Sequence, residues 1–190
     1  MHRNEFIQQL EAYRQRWGEE KEVCDQFIEF ISGNADCFER SFKEGHVTAS
    51  AWVVNGEGSH VLLTHHRKLN RWLQLGGHVD GESDVLEGAL REVEEESGLT
   101  EVRVLGEGIF DLDIHPIPAR GDEPEHMHYD VRYLCQATGN EEFVVSDESH
   151  DLAWVKMGEV VKLANEESML RMVRKCAGNV GWSFQLKRSL

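Results

Sequence analysis

Three glutamates at helical spacing, Glu92, Glu95 and Glu96, are the residues of this sequence best suited to chemistry. On a helix they share an arc of about 100° beside an apolar face, whereas Glu87 and Glu94 point elsewhere. At about 5 Å and an effective dielectric of about 20, each repulsion between two carboxylates is on the order of 3 kcal/mol. All three also lie in the last two turns, at the negative end of the helix dipole. The pattern therefore indicates a compensating cation.

A divalent metal ion is the cation that fits this cluster best. Arg91 supplies a positive charge, but on the helix it points away from the centre of the cluster. Carboxylate oxygens suit Mg²⁺ or Mn²⁺, and an octahedral ion held by a few carboxylates keeps positions for water and for phosphate oxygens. For the motif EVEEE alone, an acidic helix that simply faces water is the alternative. The preceding glycines, Gly76, Gly77 and Gly81, favour the metal site because they bring the backbone close to a ligand.

Loop and helix together resemble the signature motif of the Nudix hydrolase family. That motif is written G, five residues, E, seven residues, R-E, an aliphatic residue, any residue, E-E, any residue, G, an aliphatic residue. In this chain Gly77 is followed, at the family's spacing, by REVEEESGL at residues 91–99. The resemblance extends over residues 46–165.

One position departs from the motif, because Ser83 stands where the family has its first glutamate. In the family that glutamate mainly braces the loop by pairing with the arginine of the motif. Here Glu82 or Asp84 is expected to take over this role, or else Arg91 is expected to pair with Glu87. The departure concerns the geometry of the loop and leaves the three clustered glutamates intact.

The resemblance implies an α/β fold, the Nudix α/β/α sandwich around a central mixed sheet. Residues 1–45 lie outside the minimal core of the family and are predicted to form an N-terminal helical extension. Residues 46–190 are predicted to form the Nudix hydrolase domain, with the motif at 76–99 and a C-terminal helix.

Residue patterns predict the individual elements. Apolar residues at helical spacing indicate two helices over residues 4–31, interrupted near Gly18. Their apolar stripe is expected either to pack on the chain's own domain or to form a homodimer interface. Strands are predicted at ASAWVV, HVLLTHH and RWLQL and near residues 101–105, 109–114, 128–137 and 152–156. The segment GEVVKLANEESMLRMVRKCA is predicted to be helical, with four candidate buried residues, Leu163, Met169, Leu170 and Val173.

The activity implied by the resemblance is attack of water on a phosphorus atom within a diphosphate linkage, typically in a nucleoside diphosphate joined to another group. Mg²⁺ or Mn²⁺ is the implied cofactor. Glu92, Glu95 and Glu96 would be metal ligands, one of them doubling as a base, and a backbone carbonyl of Gly76 or Gly77 would complete the set.

A further carboxylate often comes from a late loop in this family. Glu148, six residues before Trp154, is the candidate for a general base or an additional ligand, and it completes a predicted catalytic set with the three glutamates and Arg91. Its competitors are Asp147, Glu123 and Glu125. A solvated acidic loop is the alternative.

Substrate contacts are predicted at two places. Arg67 and Lys68 open the loop before the motif, where positive groups meet phosphate; an ordinary polar loop is the alternative. His126 and His128 alternate with Asp130 along one predicted strand and so share a face, which is expected to lie near the substrate pocket. A transition-metal site at these three residues and simple exposure are the two other interpretations.

Composition limits the classes of partner. The 190 residues include 20 Lys and Arg against 35 Asp and Glu, a formal net charge of −15, which disfavours nonspecific nucleic-acid binding. A phosphorylated small molecule or nucleotide is the expected substrate, with a bound cation reversing the local field. No apolar run approaches the length of a membrane span, and the four cysteines are scattered, so we expect a cytoplasmic protein with reduced thiols.

Two other functions are compatible with the fold. A Nudix module that binds a nucleotide-like effector without hydrolysing it is one, although it would have no need to keep all three glutamates. An enzyme like isopentenyl diphosphate isomerase is the other, but its catalytic thiol is missing from the segment before the motif, which is RWLQLGG.

Overall fold

The computed structural model describes residues 3–121 and 123–178. Its four α-helices are α1 (Arg3–Arg16), α2 (Lys21–Gly33), α3 (Val85–Ser97) and α4 (Glu167–Gly178). Its strands are β1 (Gly45–Val54), β2 (His60–His66), β3 (Arg71–Leu73), β4 (Leu75–His78), β5 (Val102–Val104), β6 (Asp111–Ile117), β7 (His126–Ala137) and β8 (Ser149–Lys156). Neighbouring strands follow the order β3-β2-β1-β7-β5, while β4 pairs with β1, β6 with β7 and β8 with β2.

One of two compact units comprises the residues up to Ser50 together with Gly76–Glu92 and Glu107–Tyr133. Strand β6 pairs antiparallel with β7 without a break, from Asp111 opposite Arg132 to Ile117 opposite His126. Strand β1 is buried along its whole length, although His46, Thr48 and Ser50 are polar. Buried polar side chains are unusual on a core strand, and these three indicate a functional site in this unit.

The second unit comprises Ala51–Leu75, Val93–Gly106 and the described residues from Leu134 onward. Strand β2 pairs antiparallel with β3 and, over seven residue pairs, with β8. Strand β5 pairs antiparallel with β7 from Val102 opposite Ala137 to Val104 opposite Cys135. The core of this unit contains large buried side chains that include Trp52, Leu62, Leu63 and Leu75.

The two N-terminal helices form as predicted, with a 3₁₀ turn at Gly18–Glu20 between them. Phe6, Leu10 and Tyr13 of α1 are buried, as are Phe27 and Ile31 of α2. The Phe30 ring of α2 stacks on Tyr129 of β7, with ring centroids 3.8 Å apart. The apolar stripe is therefore covered by the chain itself, which favours the first of the two predicted arrangements, and the homodimer stays a prediction.

Two predicted elements differ from the structure. The segment RWLQL is not one strand, because β3 ends at Leu73 and β4 begins at Leu75. The predicted C-terminal helix is also wrong in its first half, where a 3₁₀ helix covers Met157–Lys162 and α4 starts only at Glu167. As a result Leu163 is 44% exposed and Leu170 and Val173 are half-buried, whereas Met169 is buried as predicted.

The described cysteines are all free, and three of the four are buried. Over residues 3–121 and 123–178, no helix combines the length and the apolar character needed to cross a membrane.

Candidate active site

The sequence predicts a helix from about Asp84 to Ser97, ended by Gly98, and helix α3 covers Val85–Ser97. The Asp84 side chain accepts a hydrogen bond from the Glu87 N–H over 3.4 Å, as a residue at a helix N-cap does. Gly98 follows the last turn with a φ of 72°, in the left-handed region that favours glycine. Ala89 and Val93 are buried on the apolar face. Their burial fixes the rotation of the helix, and with it the direction of its glutamates.

The three clustered glutamates of α3 differ in exposure. Glu96 is only 4% exposed, the side chain of Glu92 is 14% exposed, and Glu95 is exposed. Carboxylates are rarely buried unless they are paired or bind a metal. The arrangement therefore holds two oxygen donors in place beside the core and leaves the third open to water.

The loop before α3 packs directly against Glu92. A Cβ atom built on Gly77 would lie 2.7–2.8 Å from the carboxyl carbon and both carboxylate oxygens of Glu92. Real Cβ atoms do not approach other atoms so closely, so a larger residue at this position would force the Glu92 carboxylate to move. The loop backbone at Gly77 therefore lies close to the Glu92 carboxylate.

Arg91 braces this loop through the backbone. Its guanidinium donates a hydrogen bond of 2.8 Å to the carbonyl of His78, and it lies 3.7 Å from the carboxylate of Glu92. The Glu82 carboxylate accepts a hydrogen bond from the backbone N–H of Asp84 at the start of α3. The carboxylates of Glu82 and Asp84 therefore both accept hydrogen bonds from backbone N–H groups at the start of the helix. Ser83, between them, is half-buried.

A histidine cluster lies in the same unit. The ligand atoms of His46 (β1), His78 (the last residue of β4) and His128 (β7) all fall within 4.8 Å of one another. His126 joins them, with its Nε2 3.3 Å from Nε2 of His128. The His115 ring lies 5.6 Å from that of His128, and its Nδ1 is 3.0 Å from the Asp113 carboxylate. As predicted, His126 and His128 share a face of one strand.

Burial keeps the central histidines neutral. It lowers the pKa of His78 to about 4 and that of His128 to about 2; neighbouring histidines add to both shifts, and Arg40 adds to that of His78. Burial also lowers the pKa of His46. An imidazole with a pKa well below 7 offers the lone pair of one ring nitrogen at neutral pH.

Asp130 does not belong to this histidine cluster, contrary to the interpretation that grouped it with His126 and His128. Its carboxylate accepts hydrogen bonds from Thr48 (3.1 Å) and Ser50 (2.7 Å) and from the guanidinium of Arg132 (2.7 Å).

Arg132 is the centre of a buried ionic network on the same strand. Besides Asp130, its guanidinium contacts Asp111 at 3.1 Å and Asp113 at 3.2 Å. Its own side chain is 3% exposed. Burial disfavours its charge, but the three carboxylates, led by Asp130, outweigh that effect and raise the pKa of Arg132. The network keeps the polar face of β7 fixed next to the histidines.

Comparison with known proteins identifies the family. A family model described as NUDIX domain matches residues 44–176, well over half of the chain. The chain belongs to the Nudix family. The prediction made from the motif residues is thereby confirmed, as is the prediction that the chain is an enzyme of the Nudix hydrolase type. A search of curated proteins found no match.

Solved structures support the same fold. An Ap4A hydrolase of C. elegans, in a binary complex, has 20% sequence identity and a TM-score of 0.56, and the match covers 69% of this chain and 94% of that one. A NUDIX-family hydrolase from Clostridium perfringens has 25% identity and a TM-score of 0.51, with 70% and 96% covered. The dihydroneopterin triphosphate pyrophosphohydrolase of E. coli has 13% identity and a TM-score of 0.54, with 68% and 92% covered. The predicted fold class is confirmed as a mixed central sheet with flanking helices and an N-terminal helical region.

Two further predicted site residues of this Nudix enzyme lie together in its second unit. The backbone N–H of Arg67 donates a hydrogen bond of 2.9 Å to the carbonyl of Glu148, and the Arg67 guanidinium donates one of 2.9 Å to the carbonyl of Ser149. Lys68 is exposed in the adjacent turn, and the Glu148 side chain is exposed as well. The structure thus joins the loop after β2 to the start of β8 and holds the backbones of Arg67 and Glu148 together.

The competitors of Glu148 have less distinctive surroundings. Asp147, Glu123 and Glu125 are all exposed, and Glu123 forms an exposed ion pair with Arg40 at 3.1 Å. Their roles stay predictions.

Replacement of Gly77 tests the contact between loop and helix. Gly77→Ala is expected to lower kcat/KM by about 10-fold to 100-fold, because the new methyl group must displace the Glu92 carboxylate and misplacement of about 1 Å has such effects in active sites. Gly18→Ala is the matched control, since a Cβ there meets nothing within 4 Å. Steady-state kinetics and the Mg²⁺ concentration for half-maximal rate are the measurements. Unchanged values for Gly77→Ala would show that the contact has no role.

Sequence reasoning missed His46 and His78. His46 follows Gly45 at the start of β1, and His78 follows Gly77 at the end of β4. The two histidines are 32 positions apart in the chain. Only the pairing of β4 with β1 brings these segments together. Alternation of His46 with Thr48 and Ser50 along a strand was the one available signal, because it indicates a polar strand face.

Proposed function

We propose that this Nudix enzyme hydrolyses a diphosphate bond, with Mg²⁺ or Mn²⁺ held by Glu92, Glu95 and Glu96. The observation that carries the proposal is the contact of the Glu92 carboxylate with the loop at Gly77, on the same helix as the other two glutamates. The loop comes close to one carboxylate of the helix, and the same helix carries the two other clustered carboxylates. They make sense together as a binding site.

The donor set fits the proposed cofactor. Three carboxylates and a backbone carbonyl at Gly77 offer only hard oxygen atoms, which Mg²⁺ and Mn²⁺ prefer. The protein carries a formal charge of −15, so a polyphosphate approaches it only where a cation reverses the local field. When bound, such an ion neutralises the charge of the diphosphate and lowers the pKa of a coordinated water molecule.

The chain's own residues would divide the remaining work. Glu92 and Glu96, which are largely buried, hold a fixed position, and Arg91 keeps the loop in place through the His78 carbonyl. Arg67 and Lys68 would contact substrate phosphate from the turn after β2. Exposed Glu148, next to Arg67, would accept a proton from the attacking water.

The proposed substrate is a nucleoside diphosphate linked to a second group. The names of two structural neighbours refer to hydrolysis of Ap4A and of dihydroneopterin triphosphate, and these compounds therefore belong in the first panel. Nucleotide sugars, dinucleotide cofactors, nucleoside triphosphates, capped RNA and isopentenyl diphosphate complete it. Chromatography of the products with Mg²⁺ present is expected to show release of a nucleoside monophosphate or of inorganic phosphates from at least one compound.

The same panel separates the alternatives. Tight binding of a nucleotide without any product would indicate an effector-binding module. Conversion of isopentenyl diphosphate to its isomer without hydrolysis would indicate an isomerase. Either result would overturn the proposed hydrolysis.

Glu148→Gln tests the proposed base. We expect it to lower kcat by about 10-fold to 100-fold and to flatten the acidic limb of the pH–rate profile, since the amide cannot accept the proton. Asp147→Asn, a change of the neighbouring exposed carboxylate, should leave the profile as it is. An unaltered acidic limb in Glu148→Gln would assign the base elsewhere.

A further inference from the structure

We propose that His46, His78 and His128 bind a transition-metal ion of the Zn²⁺ class, with His126 as the fourth ligand. The proposed ligands are distinct from the carboxylates of α3 and have a different donor chemistry, although His78 directly follows Gly77. The proposal does not depend on the hydrolysis of a diphosphate, and it replaces the predicted direct contact of His126 and His128 with substrate.

The spacing of the rings fits such an ion. Tetrahedral Zn²⁺ with Zn–N bonds of about 2.1 Å places its nitrogen ligands about 3.4 Å apart. The ligand atoms of His46, His78 and His128 already lie within 4.8 Å of one another, so small side-chain rotations suffice. Nε2 of His126 and Nε2 of His128 are 3.3 Å apart without any adjustment.

His46 supplies an independent observation. His46 is only 2% exposed, and both nitrogens of its ring are buried without a hydrogen-bond partner. The backbone at Phe42 lies near enough to raise its pKa slightly, but burial is the larger effect and the net shift is downward. Buried polar atoms in folded proteins nearly always have a partner, and a metal ion is one of the partners that satisfies them. The imidazole of His46 is held where a metal would use it.

His126 is oriented as a ligand by its outer contact. Its Nδ1 lies 2.9 Å from the carbonyl oxygen of Pro124, and because a carbonyl can only accept, Nδ1 carries the proton. In the neutral ring Nε2 then presents its lone pair, and this is the atom that faces His128. Histidine ligands in metal proteins are commonly fixed in this way by a carbonyl bonded to the other ring nitrogen.

The donor set selects the class of ion. Four imidazole nitrogens suit Zn²⁺, Co²⁺, Ni²⁺ and Cu²⁺, whereas Mg²⁺ prefers oxygen. The neighbouring carboxylates of Asp130 and Asp111, which are buried, and of Asp113, which is half-buried, are engaged with Arg132. The chain would therefore carry two metal sites that do not compete for the same ion.

Titration with Co²⁺ tests the site, because tetrahedral nitrogen coordination gives Co²⁺ a strong visible absorption. We expect tag-free protein to bind one Co²⁺ per chain with this spectrum, to release it to Zn²⁺ and to keep it in excess Mg²⁺. His46→Gln and His128→Gln should each weaken binding at least tenfold, as expected for the loss of one ligand. His150→Gln, a change of an exposed histidine in the other unit, and Glu95→Gln should bind Co²⁺ as the unaltered protein does.

His46 is buried, so the fold of each variant is checked by circular dichroism. If His46→Gln does not fold, Co²⁺ binding by His128→Gln and by His126→Gln, a change of a half-buried residue, tests the site instead. His126→Gln should weaken Co²⁺ binding about tenfold. Absence of stoichiometric Co²⁺ binding would overturn the proposal. Binding that survives in His128→Gln and His126→Gln but is lost in Glu95→Gln would overturn it too, because it would assign the ion to the carboxylates.

Discussion

Glu95→Gln and Glu96→Gln are each expected to lower kcat by about 100-fold or more on the best substrate of the panel. The amide keeps the size of the side chain and removes the negative charge that binds a divalent ion. Glu96 is only 4% exposed, whereas Glu95 is exposed, so the two variants test one buried and one exposed residue among the proposed metal ligands. Loss of either would leave the proposed ion with an incomplete shell.

Glu94→Gln is the matched control for these variants. Glu94 lies on the same helix, is exposed and carries the same charge, but it points away from the cluster. Its change should leave kcat within about twofold, since surface substitutions rarely have large effects. Circular dichroism and thermal unfolding establish that all three variants fold. If Glu95→Gln and Glu96→Gln both turn over substrate like Glu94→Gln, the metal site is not on this helix.

Arg132→Met is expected to lower the free energy of unfolding by about 3–5 kcal/mol. The guanidinium is surrounded by Asp111, Asp113 and Asp130, and its removal leaves three carboxylates without their common cation. A buried ion pair contributes little net stability against an apolar replacement, but removing one partner alone exposes the desolvation cost of the others. The network thus stabilises the polar face of β7 chiefly because its members compensate one another.

Arg40→Met gives the comparison for the buried network. Arg40 pairs with Glu123, but the two side chains are 51% and 60% exposed, and exposed pairs contribute about 0–1 kcal/mol. Urea unfolding followed by fluorescence measures both variants. A loss below about 1 kcal/mol for Arg132→Met would mean that the carboxylates do not need the arginine. If Arg132→Met does not fold at all, the loss of stability has the predicted sign and exceeds the predicted size. Asp113→Asn should then fold and show a smaller decrease in the free energy of unfolding.

Local patterns allowed much of the fold to be predicted. The helical spacing of apolar residues and a terminal glycine predict α3 from about Asp84 to Ser97. The observed helix covers Val85–Ser97, so both ends agree within one residue. The family motif likewise identified Gly77 and Glu92, which the structure brings into contact. Such features depend on neighbours a few residues apart, so the sequence alone contains the information.

Features that depend on distant segments could not be predicted. The C-terminal pattern indicates one continuous helix, but the chain forms a 3₁₀ helix at Met157–Lys162, begins α4 only at Glu167 and leaves Leu163 exposed. The contacts of His46 with His78 and His128 require the pairing of strands from three parts of the chain. Periodicity along one strand cannot reveal which residues face it from another.

Product release during a Mg²⁺ titration tests the proposed metal-dependent hydrolysis. The protein is first treated with a chelator, the best substrate of the panel is added, and Mg²⁺ is restored in steps. We expect no cleavage in chelator and a saturable return of activity, with water adding to phosphorus within the diphosphate linkage. Full cleavage in chelator, or tight nucleotide binding with no cleavage at any Mg²⁺ concentration, would contradict it.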